Sequence, residues 1–309
     1  MKKILIVLLA LVVLCLSQAA LASPILLSGM DALPETTEEG FLPEGSEPVY
    51  CKDHSAGIWF YLAENLRIEI TRVQSKSPAL VYYIADIVCA KGTSLGTATW
   101  NTERPGRTNA LPQDIAQREH AIFAMSGDFY SYRVSNDRRP GVIIRDGEIL
   151  YSKTYSKMVH ALPNLATMAF NPSGKAEVNE AWEMTAKDYV KKGATTVLAF
   201  GPILIRDDEP QDLSDSAYTH KEPRACIGIM EPGHYIGLLV EGRKSHSEGA
   251  TLEKCAEILL DMGCSDAINL DGGNTAAMLF MGESVQLAEN GGVDHNDRAI
   301  PDILCVGTY

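Results

Sequence analysis

Three separate segments of this chain share one design: an apolar strand that ends abruptly in a small, polar, glycine-containing turn. Ala121-Ile122-Phe123-Ala124-Met125 runs into Ser126-Gly127-Asp128-Phe129-Tyr130. Val197-Leu198-Ala199-Phe200 runs into Gly201-Pro202, and Ala267-Ile268-Asn269-Leu270 into Asp271-Gly272-Gly273-Asn274-Thr275. A strand end is a rigid mount, and glycine lets a ligand come close to the backbone. Backbone N–H groups exposed at such turns can cradle an anion. A fold for this chain must therefore carry core strands whose ends are free to present chemistry.

The remaining pattern is also rich in strands. Leu66-Arg67-Ile68-Glu69-Ile70 alternates with period two, as a half-buried strand does, and 79–88 is rich in Val, Ile and Tyr. Val142-Ile143-Ile144 and Ile149-Leu150 flank Asp146-Gly147, a pair suited to a tight hairpin. Segments 224–230 and 235–240 flank Glu231-Pro232-Gly233-His234, where proline then glycine fits a type II turn. Helices are fewer. Thr251 can cap one whose apolar stripe is Leu252, Cys255, Ala256, Leu259 and Met262, stopped by Gly263. Thr185 caps a shorter one ending before Gly193, and a third runs from Gln113 to about Glu119. The expectation is an α+β domain: a mixed, strand-rich sheet with a few flanking helices, in a single domain.

The N-terminus sets the domain limits. Lys2-Lys3, an apolar run over 4–16 and the small residues of Ala20-Leu21-Ala22 read as a secretory signal over 1–22. The run is too short for a comfortable membrane span, and no second stretch is long enough, so the expectation is an exported, cell-surface or extracellular protein with no span after cleavage. An uncleaved anchor is the alternative. Residues 23–48 hold Pro24, Pro34, Pro43, Pro48 and six acids with no base, a composition that buries too little to offset its ordering entropy. The domain limits are thus an acidic linker over 23–56 and a globular catalytic domain over 57–309. The net charge is −13, and loss of the signal removes two lysines and no acid. Such a field repels nucleic-acid phosphates, which excludes DNA and RNA as partners, while a few local arginines still suffice for a small anion. Six cysteines remain outside the signal: Cys51, Cys89, Cys226, Cys255, Cys264 and Cys305. Bridges and buried thiols are both open, and the spacing resembles no zinc site.

Among residues able to do chemistry, Asp271 is foremost, because a helix through Leu259 and a buried strand deliver it to a sheet end where a carboxylate needs a partner. Asp-Gly pairs also make ordinary hairpin turns. Arg224 opens a strand, and Glu241-Gly242-Arg243 closes the strand paired to it, so the two arginines fall within reach of one another. A guanidinium matches phosphate oxygens with two parallel hydrogen bonds, although surface ion pairing is the plainer role. Asp86 interrupts an apolar strand and either pairs internally or faces the site. His160, His220, His234 and His246 fall in expected loops, and Trp59, Trp100 and Trp182 suit either core packing or stacking on a sugar.

Four segments in order carry a resemblance: Phe200-Gly201-Pro202-Ile203-Leu204-Ile205, Pro223-Arg224-Ala225-Cys226-Ile227-Gly228, Glu241-Gly242-Arg243 and Asn269-Leu270-Asp271-Gly272-Gly273. Together they resemble the phosphodiester glycosidase family, from about Tyr83 to the C-terminus. The resemblance implies hydrolysis of a sugar 1-phosphodiester at the anomeric carbon, in extracellular or cell-envelope glycans, with a carbohydrate phosphodiester as the partner. It implies catalytic roles among Asp128, Glu241 and Asp271, and substrate or phosphate contacts from Gly127, Gly201, Arg224, Arg243, Gly272, Gly273, Asn274, Thr275 and Arg298. No cofactor is required by this reading; a divalent metal held by Asp128 and Asp271 is a lesser alternative. Two departures stand out. The family usually has Asn-Gly-Gly or Asn-Gly-Asp where this chain has Ser126-Gly127-Asp128, and Gly-Ser-Ser where it has Asn274-Thr275-Ala276. Thr275 keeps one hydroxyl and Ala276 loses the other, which bears on substrate and rate more than on fold. Rival readings are a metal-dependent phosphodiesterase that breaks P–O and a non-catalytic glycan-binding envelope protein. The sugar, the aglycone, the stereochemical course and the oligomeric state are left open by the sequence.

Overall fold

The computed structural model describes residues 34–101, 108–215, 217–290, 292–294 and 297–309. The expected signal at 1–22 lies outside the described residues. The chain divides into two units, residues 1–36 and 37–309, and all described secondary structure belongs to the second. Along the chain run β1 (Val49–Asp53), β2 (Ile58–Leu62), β3 (Leu66–Lys76), β4 (Ala79–Cys89) and β5 (Gly96–Thr99). Helix α1 (Pro112–Arg118), β6 (Ala121–Ser126), α2 (Tyr130–Ser135), β7 (Ile143–Arg145), β8 (Glu148–Tyr151), β9 (Ala166–Phe170) and β10 (Ala176–Asn179) follow. Then come α3 (Ala186–Lys191), β11 (Thr196–Phe200), β12 (Ile203–Arg206), β13 (Glu209–Pro210), β14 (Arg224–Glu231) and β15 (His234–Val240). The last are α4 (Leu252–Asp261), β16 (Asp266–Leu270), β17 (Met278–Phe280), β18 (Glu283–Ser284) and β19 (Asp302–Thr308).

These strands form three sheets, ordered β1-β2-β3-β4-β15-β14-β16-β12-β13, β10-β9-β11-β7-β8 and β18-β17-β6-β19-β5. The fold is α+β and strand-rich, as expected. Every strand pairing among the described residues is antiparallel, so the sheet expected to be mixed is corrected to three antiparallel ones. Period-two alternation explains how they stack. Ala225, Ile227 and Ile229 of β14 join the central core with Ile68, Ile87, Phe123, Met168, Leu198 and Leu304, which come from all three sheets. Cys226, between them, turns to the opposite face and packs with Leu252, Cys255 and Leu259 of α4. Each smaller sheet is likewise backed by a helix: Ile115 and Ala116 of α1 meet Ala124 and Ile303, and Tyr189 of α3 meets Ile144 and Val197.

Local signals behave as their chemistry requires. Asp146 and Gly147 adopt φ of 49° and 78°, the two positive values a type I′ hairpin needs. Thr251 accepts from the Lys254 N–H, and Thr185 and Asp188 cap α3 reciprocally. The linker expected over 23–56 is corrected within its length: Phe41 and Leu42 are buried, and β1 pairs with β2 from Val49↔Leu62 to Asp53↔Ile58. Backbone pairing and two buried apolar side chains there offset the ordering cost that proline and glutamate suggested. All six described cysteines are thiols, four of them buried. No helix among the described residues is long and apolar enough to cross a membrane.

Candidate active site

The three glycine turns meet. β6, β11 and β16 belong to different sheets, yet their C-terminal ends are tied together by the backbone. The Asp271 N–H donates to the Gly127 carbonyl at 3.0 Å, and Ser126 Oγ donates to the Asp271 carbonyl at 3.0 Å. The Gly201 N–H donates to the Asn269 carbonyl at 3.0 Å, and Asn269 Nδ2 returns to the Gly201 carbonyl at 2.9 Å. The Ala199 N–H reaches Asp128 Oδ2 at 3.2 Å. β14 and β15 bring Arg224 and Val240 side by side in register, with Ala225 opposite Leu270. Register thus places Arg224, Glu241 and Asp271 at one end of the large sheet.

Asp271 is half-buried and lines a cavity of about 280 Å³ with Phe200, His220, Glu222, Arg224 and Arg243. Thr275, buried in the 3-10 turn that follows, donates its hydroxyl to Asp271 Oδ2. Burial pushes the Asp271 carboxyl up to about 7, with Asp302 adding to the rise; the Thr275 hydrogen bond and the charges of Arg133 and Arg298 pull the other way. A carboxyl poised there can take or give a proton near neutrality.

A second cavity, of about 410 Å³, is lined by Glu241, Arg243, Lys244, Asn274, Asp294 and Arg298 among others. Arg243 and Gly273 line both cavities. Arg243 has φ of 59° and is braced on two sides: Nε donates to Glu222 Oε2 at 2.6 Å and Nη1 to Asn274 Oδ1 at 2.7 Å. Gly273 takes φ of 62°, a left-handed backbone that favours glycine, beside Arg243 Nη2. Arg298 stands over the Phe129 ring at 5.8 Å. Arg243 and Arg298 offer cations to a phosphate, while Lys244, in the same wall, is engaged by Glu241 at 3.3 Å, the Leu287 carbonyl at 2.6 Å and Asp294 at 2.5 Å.

Other expected site residues take different parts. Asp128 is fully buried beneath the turns, where it accepts from the Tyr130 and Ala199 N–H groups, and burial and then Asp302 raise its pKa. Arg224 is buried, with Nε on the Ala250 carbonyl at 3.1 Å and Nη2 on the His220 carbonyl at 2.7 Å. It lines the Asp271 cavity but is largely engaged in holding the 220–224 segment. Glu241 is 1% exposed and accepts from Tyr83 Oη, the Leu287 N–H, His246 Nε2 and Lys244 Nζ, at 2.7, 2.7, 2.7 and 3.3 Å. Gly201 is buried, and a Cβ on it would meet Asn164 Oδ1 at 2.1 Å, so its smallness serves packing rather than a ligand. Gly127 is similar, with Asp302 behind it. Gly272 lines the smaller cavity and Asn274 the larger. The backbone cradle expected at Asp271 is corrected in part: the N–H groups of Asp271, Gly273, Thr275 and Ala276 are bonded to carbonyls of the protein.

Among the minor candidates, Asp86 pairs internally, with His234 Nε2 at 2.9 Å, and His234 begins β15 rather than a loop. His246 holds Glu241. Trp59 is core, Trp100 is 40% exposed, and Trp182 is half-buried. Among the described residues, no group of three or more His, Cys, Asp or Glu side chains is placed to hold a metal ion.

Four residues escaped the sequence reading. Arg133 and Tyr130, one turn apart on α2, project beneath the Asp128 turn, where Arg133 Nη1 reaches the Asp128 carbonyl at 2.7 Å. Arg145 and Asp302 form a buried pair at 2.7 Å, and the Arg145 pKa is raised because Asp302 outweighs the downward pull of burial. Arg145 and Asp302 each sit at a strand end beside apolar residues, Ile143-Ile144 and Ile303-Leu304. A charge at the end of an apolar strand is the local signal that marks both.

The profile of the phosphodiester glycosidase family matches residues 119–307, which take in every turn described above. The chain belongs to the phosphodiester glycosidase family. A relative from Bacillus subtilis strain 168, the SPbeta prophage-derived uncharacterized protein YomE, is 28% identical over 195 residues, or 62% of this chain. The chain spans 29% of the length of that relative. The catalytic domain of zebrafish N-acetylglucosamine-1-phosphodiester alpha-N-acetylglucosaminidase, auto-inhibited by its pro-peptide, has a similar fold: TM-score 0.61, 17% identity, covering 85% of this chain and 88% of that one. A hypothetical protein from Synechocystis superposes with TM-score 0.59 at 13% identity, covering 80% of this chain and 63% of that one. Within this phosphodiester glycosidase fold, the ordered turns at Gly127, Gly201 and Asp271 are the lacing that joins the three sheets.

Proposed function

We propose that this chain is a hydrolase that cleaves a sugar 1-phosphodiester at the anomeric carbon. One observation carries the reading: Asp271, the carboxyl poised near 7, lines a sugar-sized cavity whose wall, Arg243, it shares with a neighbouring cavity bearing Lys244 and Arg298. The sugar occupies the smaller cavity, the phosphate lies across Arg243, and the aglycone extends toward Lys244 and Arg298. Asp271 takes a proton from water as the water oxygen bonds to the anomeric carbon. The bond from that carbon to the phosphate oxygen breaks, and the electron pair leaves on the phosphate. A phosphodiester is already a good leaving group, so the cations need only stabilise charge that develops on it. Positive charge accumulating on the sugar ring is met by the acidic side chains lining the two cavities. Asp128, fully buried on the Tyr130 and Ala199 N–H groups, does not touch the substrate. An exported protein acting on extracellular or envelope glycans fits both the N-terminal 1–22 pattern and this chemistry, and no cofactor is needed for it.

The test is hydrolysis of a chromogenic sugar phosphodiester in oxygen-labelled water. Label in the released sugar supports the reading. Label in the phosphate monoester means P–O cleavage, and no turnover by folded protein, with tight glycan binding retained, means a non-catalytic role.

A further inference from the structure

The largest cavity described, about 850 Å³, lies away from Asp271, on the α3 side of the sheet β10-β9-β11-β7-β8. Its wall includes Val142, Ile149 of β8, the segment 152–156 and the residues 184–187 that open α3. It shares no lining residue with either cavity beside Asp271.

Two aromatic residues line it, Trp182 and Tyr155, both half-buried. Three bases do so as well, Arg139, Lys153 and Lys187, and no acid. In a chain of net charge −13 that local balance is the reverse of the whole. Four acids adjoin lining residues in sequence, Glu148, Glu180, Glu183 and Asp188, and none of them is in the wall; Glu183 is engaged with Arg206 at 3.0 Å and with the Glu180 N–H, and Asp188 with the Thr185 N–H and hydroxyl. Arg139 is held in place, its guanidinium 5.4 Å from the Tyr155 ring centre and bonded to the Thr154 carbonyl.

We propose that this cavity is an accessory site for an anionic saccharide. Aromatic rings pack against the C–H faces of sugars, and the preorganised arginine and two lysines meet carboxylates or phosphates along the glycan. Single-stranded nucleic acid also uses basic grooves with aromatic rings, but its charge density sets it against the overall acidic field far more strongly than a sparsely charged glycan. A short path connects this site to the turns: Arg139 precedes Pro140, whose carbonyl accepts from Arg133 beneath Asp128. The proposal does not depend on the cleavage reaction, because it concerns binding alone.

Calorimetric titration of the whole chain tests it with four probes: an oligomer of uronates, an oligosaccharide joined by phosphodiesters, a neutral cello-oligosaccharide and an oligothymidylate. At least one anionic oligosaccharide should bind roughly tenfold more tightly than the neutral one, and less tightly as salt is raised. Trp182→Ala should weaken that binding by about tenfold. The exposed double variant Lys153→Gln/Lys187→Gln, whose substitutions spare the core, should do the same. Turnover of a small chromogenic sugar phosphodiester should be unchanged in both variants. The proposal is overturned if neither anionic oligosaccharide binds, if the neutral one or oligothymidylate binds as well, or if the double variant binds like the wild type.

Discussion

The Asp271 N–H donates to the Gly127 carbonyl at 3.0 Å, while Gly127 itself is backed by Asp302, whose Oδ2 would lie 2.5 Å from a Cβ placed on the glycine. One peptide thus separates the carboxyl that faces the cavity from the buried ion pair of Asp302 with Arg145. Gly127→Ala should force Asp302 off Arg145. Overpacking costs about 1–3 kcal/mol and a broken buried pair more. The denaturant midpoint should fall accordingly, and an unchanged midpoint would show that Asp302 moves aside freely.

The pH dependence of turnover follows from Asp271. Its carboxyl, raised to about 7, must be ionised to accept a proton from water, so kcat/KM should climb as pH rises through about 7. Asp271→Asn should lower the rate by about two to four orders of magnitude at every pH while keeping the far-UV spectrum. A rate that falls through the same range would make Asp271 the acid instead of the base.

The parts of this site legible in the sequence were those with local signals. Hairpins at Asp146-Gly147 and Pro232-Gly233, the caps Thr185 and Thr251, and the glycine turns at strand ends are all written within a few residues. Asp271 was therefore visible, as was the pairing that sets Arg224 beside Val240. What was not legible depends on three sheets stacking. Glu241 resembles a surface charge until the Tyr83 hydroxyl and the Leu287 N–H, from distant segments, close over it. Arg133, on α2, could not be tied to Asp128, because a six-residue helix entered through Phe129 at φ of 50° lacks a capping signal. Arg224 misled for the opposite reason. A guanidinium matches phosphate and backbone carbonyls equally well, and only coordinates show that two of its nitrogens already have carbonyls.

Thr275 acts through Asp271. Its hydroxyl donates to the carboxylate, which favours the ionised form and holds the acid's pKa down. In Thr275→Val the apparent pKa of the kcat/KM profile should move up, and the rate at pH 7 should fall roughly tenfold, the scale of one hydrogen bond to a charged group. Thr275→Ser should restore both. Equal loss in the serine variant would point to the methyl group and packing instead.

Glu241 is held from four sides, two of them by Lys244 and His246. Glu241→Gln leaves Oε1 able to accept but turns the other end into a donor facing those two residues. Leaving such a buried network unpaired costs about 3–5 kcal/mol, so the thermal midpoint should drop markedly. Tyr83→Phe removes one donor from the same carboxylate and should cost far less. A Glu241→Gln protein that melts like the wild type yet fails to turn over substrate would place Glu241 in the chemistry.

Stability should also carry the signature of Asp271. A carboxyl whose pKa rises from its ordinary value near 3.8 to about 7 on folding prefers to be protonated in the native state. Its contribution to stability is therefore fully present below the unfolded pKa, declines as pH rises from about 3.8 through about 7, and is lost above that. Asp271→Asn removes the ionisation and keeps the shape. At pH 8 the variant should melt above the wild type, by about 2–4 °C for each kcal/mol relieved in a domain of this size. At about pH 3, below the ordinary value near 3.8, the group is protonated in both the folded and the unfolded chain and the two should melt nearly together. Other titrating groups cancel in this comparison, because each pair is measured at one pH. A variant displaced by the same amount at both pH values would mean that Asp271 titrates in the ordinary carboxylate range, and the base assigned to it would then be ionised throughout the neutral range.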